Sequence, residues 1–107
     1  MQTQEMRRRF EHAESAIAQL AQTCAAHQNV PDALKQSIQQ LDQQARECHA
    51  RVQSGNEQTV IEAVDKLEVC SDRAKLACQH ADKVDPTVQS AVMRTHQTLS
   101  QLKHSLH

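Results

Sequence analysis

The sequence predicts an all-α fold, an up-down-up-down antiparallel four-helix bundle. Three observations carry this. The composition holds one Gly, two Pro and no Trp or Tyr in 107 residues, and is rich in good helix formers such as Ala, Gln, Leu, Glu and Lys. Apolar residues recur at alternating spacings of four and three, the seam of a helix that keeps one face toward its neighbours. Breaker residues interrupt these seams three times, leaving four segments of similar length and only short connections, which make sequential helices antiparallel neighbours. A pair of helical hairpins that completes its bundle only as a dimer satisfies the same pattern.

The first helix is expected from Thr3 to Gln28, with the seam Met6, Phe10, Ala13, Ile17, Leu20, Cys24 and His27. Thr3 is placed to cap its start. Glu5 with Arg9, and Arg7 with Glu11, stand one turn apart on the wet face. Asn29-Val30-Pro31-Asp32 ends this helix, because Pro disfavours helix in the residue before it and fits a first turn. The second helix, 31–54, carries Leu34, Ile38, Leu41, Ala45, Cys48 and Val52, with Asp42–Arg46 and Glu47–Arg51 as outer ion pairs.

Ser54-Gly55-Asn56-Glu57 is the second break. Gly55 suits a left-handed helix end, and Ser54 with Glu57 fits a capping box. The third helix, 56–83, has the seam Val60, Val64, Leu67, Cys70, Ala74, Cys78 and Ala81, with Cys70 about 60° off its centre at ~100° per residue. Val84-Asp85-Pro86 is the third break, with Asp85 as N-cap and Pro86 as first helical residue. The fourth helix, 86–106, carries Val88, Val92, Thr95, Leu99, Leu102 and Leu106. The chain reads as one domain, 1–107.

Composition narrows function. The formal net charge is −1 and Phe10 is the one aromatic residue, so neither phosphate attraction nor base stacking points to nucleic acid. No apolar run reaches the ~18 residues of a membrane span, so no membrane partner is expected. Met1 to Phe10 holds no hydrophobic signal region, which makes reduced thiols in the cytoplasm the expectation for the four Cys. No Gly-rich phosphate loop, nucleophile elbow, His-Glu-x-x-His or paired Glu-x-x-His is present, and the chain is expected not to be an enzyme.

Two groups of residues stand out. Ile61, Val69 and Leu76 fall off the seam of the third helix, Val69 and Leu76 at roughly 160–180° from Leu67 and Ile61 at about 120°. They form a candidate interaction strip for a protein partner or a second copy. Cys24 and Cys78 sit five residues before Asn29 and Lys83, at about the same height on parallel helices, with His27 one turn beyond Cys24. Two Cys and a His are a ligand set that zinc or copper accepts, which makes a metal- or thiol-responsive protein the alternative reading. The competing reading of these thiols is that of small core hydrophobes. Of the seven His, His12, His49, His80, His104 and His107 read as solvated, and His27 and His96 as seam-boundary residues.

His80-Ala81-Asp82-Lys83 resembles the His-x-x-Lys pattern of histidine phosphotransfer domains, which are also four-helix bundles. The resemblance spans these four residues and implies phosphate acceptance at His80. Val84 stands where that pattern continues with Gly, and His80 falls at a helix end rather than in mid-helix.

Overall fold

The computed structural model describes residues 2–107, and among these the chain forms four α-helices: α1 (Thr3–Ala26), α2 (Asp32–Ser54), α3 (Glu57–His80) and α4 (Pro86–Leu106). Its long dimension of 42 Å is close to the roughly 36 Å rise of a 24-residue helix, so the helices run along one common axis. Side-chain bridges fix their directions. Glu14 meets His49 and Glu11 meets Gln53, so α1 and α2 run oppositely. Asp65, Glu68 and Asp72 meet His107, Lys103 and His96 in turn, so α3 and α4 do too.

The buried side chains are largely the predicted seams, but His27, Ala81 and Leu106 are only partly buried, Ala63 joins the buried set of α3, and one position of α3 is exchanged. Met6, Phe10, Ala13, Ile17, Leu20 and Cys24 of α1 pack with Leu34, Ile38, Leu41, Ala45, Cys48 and Val52 of α2. In α4 the buried set is Val88, Val92, Thr95, Leu99 and Leu102. In α3 Ser71 takes the place expected of Cys70, which is only partly buried. Leu67, Ser71, Ala74 and Cys78 keep the four-three-four spacing that Cys70 broke. Ser71 tolerates burial because its hydroxyl donates to the Glu68 carbonyl at 2.9 Å. Thr95 does the same toward the Ala91 carbonyl at 2.9 Å, with the Ala16 carbonyl of α1 at 3.4 Å.

The cross-section is flattened, 22 by 17 Å. Each helix packs against its sequence neighbour, α1 closes against α4, and α1 also touches α3 across the diagonal, whereas α2 and α4 do not meet among the described residues. Ala63, Ser71, Ala74 and Cys78 on α3 are small enough to let α1 come close. The larger Leu, Ile and Val side chains of α2 and α4 fill the sides.

Helix ends depart from the sequence expectations for local reasons. α1 stops at Ala26 rather than Gln28, with His27 extended, and α3 stops at His80 rather than Lys83, with Ala81 extended. Each loop then carries a Val, Val30 or Val84, back against the core, and that burial favours leaving the helix early. At the start of α1 the N-cap is Gln2, without a side-chain bond, and Thr3 is already helical. Between α2 and α3 the cap is Asn56, whose side chain accepts the Thr59 N–H at 3.1 Å; Ser54 instead bonds back to the Ala50 carbonyl. Asp85 caps α4 as expected, accepting the Thr87 N–H at 2.8 Å. That bond, aided by the His27 charge, holds the Asp85 carboxyl below its ordinary range.

Gly55 is required for space rather than for a left-handed backbone. Its φ is −93°, and a Cβ placed there would lie 2.5 Å from Thr59 Cβ and 2.6 Å from the Arg51 carbonyl oxygen. Arg7 fixes the same turn from α1, donating to the Val52 carbonyl at 3.0 Å and the Gly55 carbonyl at 2.7 Å. It therefore caps the end of α2 instead of pairing with Glu11. Gly55→Ala should cost about 1–3 kcal/mol, the usual penalty of forced overpacking. Urea unfolding followed by far-UV circular dichroism measures it, and an unchanged midpoint would mean the turn has more room than its geometry gives.

Candidate functional site

The outer face of α3 and α4 concentrates the chemistry of this surface. On α3, Asp65, Val69, Asp72 and Leu76 recur at one-turn spacing. On α4 and its C-cap, Met93, His96, Ser100, Lys103 and His107 do the same. The two stripes are linked by three bridges: Asp65 Oδ1 to His107 Nε2 at 2.9 Å, Glu68 Oε2 to Lys103 Nζ at 3.5 Å, and Asp72 Oδ1 to His96 Nε2 at 2.6 Å. Continuing this register by one turn sets Leu76 at the level of Met93.

Val69, Leu76 and Met93 are the exposed large apolar residues among those described, at 48%, 54% and 40%. All three are on α3 and α4; the described outer faces of α1 and α2 carry none. Ile61, predicted to belong with Val69 and Leu76, is instead partly buried and packs against the core. Met93 has no signature in the sequence, because a lone Met off the seam shows no period.

The acid–base ladder was legible in principle. From Pro86 to Leu106 there is no Asp or Glu, while α3 carries Asp65, Glu68 and Asp72 along one side. One helix with bases only, beside a helix with an acidic side, is the signal. Its register is not readable without knowing the rotational phase of each helix.

The Cys24, Cys78 and His27 set is not brought together. Among the described residues, the grouping of three ligand atoms close enough for one metal ion is Glu68, Asp72 and His96. Cys24 and Cys78 are buried in the core at 6% and 4% exposure. His27 turns outward, its Nδ1 2.8 Å from the Thr23 carbonyl and its Nε2 3.6 Å from Asp85. Once α1 ends at Ala26, His27 leaves the seam and joins the loop before α2. None of the four Cys is in a disulfide. Burial pushes the Cys24, Cys48 and Cys78 thiols above their ordinary value. That opposes the thiolate state which metal binding and nucleophilic attack both need.

His80 is the exposed last residue of α3, and Lys83 lies beyond the helix in the loop. The His-x-x-Lys spacing therefore does not place both residues on one helical face. A separate groove of about 600 Å³ lies between α1 and α4, lined by Arg8, Arg9 and His12 on one side and Thr98, Gln101 and Ser105 on the other. Arg9 is held there by Glu5 at 3.4 Å. Among the described residues, no helix is long and apolar enough to cross a membrane. No family model, curated protein or solved structure matches this chain.

Proposed function

We propose that this is a non-enzymatic bundle that acts by associating with a second copy of itself through the outer face of α3 and α4. The observation that carries the reading is the confinement of Val69, Leu76 and Met93 to that one face. Exposed apolar residues scattered singly need no explanation, whereas several on one helix pair, with none described on the other pair, favour a contact surface.

A two-fold copy is the simplest occupant, because an isologous contact brings the same apolar residues of both copies to one centre. Within each copy the acidic groups of α3 are already paired with the basic groups of α4, so the apolar residues carry the contact. The four unpaired Cys are compatible with a reducing, cytoplasmic setting for this protein.

The test is the double substitution Val69→Glu with Leu76→Glu. Both side chains are about half exposed, so the folded monomer should keep its circular dichroism and its melting temperature to within a few degrees. Self-association, read as a sedimentation-velocity concentration series, should weaken by about tenfold or more. A wild-type protein that stays monomeric throughout the series, or a double variant that associates as tightly as wild type, would overturn the reading.

A further inference from the structure

We propose that Glu68, Asp72 and His96 form a binding site for a divalent transition-metal ion of the zinc type. Glu68 and Asp72 stand one turn apart on α3 and project toward α4, from which His96 reaches back. One ligand atom from each lies within 4.8 Å of those of the other two. All three groups are held on regular helix, where the backbone fixes their spacing.

The donor chemistry selects the class of ion. Two carboxylates and an imidazole are a zinc-type set, close to the three-protein-ligand arrangement that leaves further positions for water. Calcium and magnesium favour oxygen-only surroundings, so the imidazole disfavours them. With metal–ligand bonds near 2.0–2.1 Å, neighbouring donors around a tetrahedral ion stand about 3.3 Å apart. Asp72 Oδ1 and His96 Nε2, now 2.6 Å apart, have only to open by a fraction of an ångström to admit the ion. Glu68 has to swing in from the same side, and its side chain is already largely shielded from solvent, at 15% exposure.

Lys103 sets the affinity. Its Nζ lies 3.5 Å from Glu68 Oε2 and competes with the metal for that carboxylate. Replacing the ammonium with a neutral group frees Glu68 and removes a repelling charge, so Lys103→Gln should bind metal several-fold more tightly. His107 pairs with Asp65 two turns below Asp72 and is not part of the site.

The experiment is a cobalt titration of the metal-stripped full chain, followed by visible absorption, with zinc then added as competitor. Saturable binding of one cobalt per chain and its displacement by zinc are expected, with magnesium ineffective at the same concentration. His96→Gln and Asp72→Asn should each weaken binding by about tenfold or more, while His107→Gln and His104→Gln leave it unchanged. Circular dichroism confirms that each variant is folded, and Lys103→Gln supplies a gain that a folding defect cannot mimic. No cobalt or zinc binding below millimolar concentration, or binding that survives His96→Gln and is lost with the terminal histidines, would overturn the site. The result is independent of self-association, which sedimentation reads separately.

Discussion

Phe10→Ala is expected to lower the free energy of unfolding by about 3–5 kcal/mol. Phe10 is the one aromatic side chain in the chain and is fully buried on α1. Its ring lies in the α1 seam between Met6 and Ala13, in a core otherwise built from Leu, Ile, Val and many Ala and Cys. A close-packed core relaxes only partly into the space a lost ring leaves, so the cost of the cavity adds to the lost transfer energy. Small domains are stable by only about 5–15 kcal/mol, so this one change removes a large share. With no Trp or Tyr to report by fluorescence, urea unfolding followed by circular dichroism is the measurement. Leu76→Ala, at a side chain 54% exposed, is the control and should change little. A Phe10→Ala midpoint within error of wild type would contradict the core as described.

The second large effect concerns the cysteines. In native protein at neutral pH, a maleimide should label Cys70 first, with Cys24, Cys48 and Cys78 slower by orders of magnitude. Those three are 6%, 2% and 4% exposed, and burial pushes their thiols up, so both access and thiolate are scarce. Cys70 is only partly buried, at the edge of the core beside Ser71. Alkalinity should accelerate the buried thiols only as far as the bundle opens, whereas denaturant should release all three together. Peptide mapping after timed labelling identifies the sites. Fast labelling of Cys24 or Cys78 in the folded protein would show that the thiol end of the bundle is open, and would restore a thiol-based function there.

The seams of α1, α2 and α4 were legible because the escape of apolar side chains from water drives folding most strongly, and its period survives in the residue types. Met6 to Cys24 and Leu34 to Val52 are buried as spaced. α3 departs at Cys70 because a Ser at the next position hides its burial behind a local hydroxyl bond, which composition does not register. Asn56 rather than Ser54 is the cap because both residue types suit one and only the backbone decides which stands at the boundary. The candidate site was half legible. Val69 and Leu76 show in the helical projection, but the pairing of Asp72 with His96 depends on how two helices are rotated against each other. In sequence Asp65 and Asp72 interrupt an apolar strip, and the fold makes them half of a ladder. The Cys24–Cys78–His27 grouping failed for a related reason. Equal height along a bundle does not bring side chains together when two of them point into the core and the third leaves the helix.

The most direct measurement of self-association through this face is the change in backbone amide NMR signals as protein concentration rises. Shifts and broadening are expected for Val69, Asp72, Leu76, Met93 and His96 and their neighbours on the outer face of α3 and α4, with the outer residues of α1 and α2 unmoved. Shifts centred on α1 and α2, or none at any concentration, would contradict it.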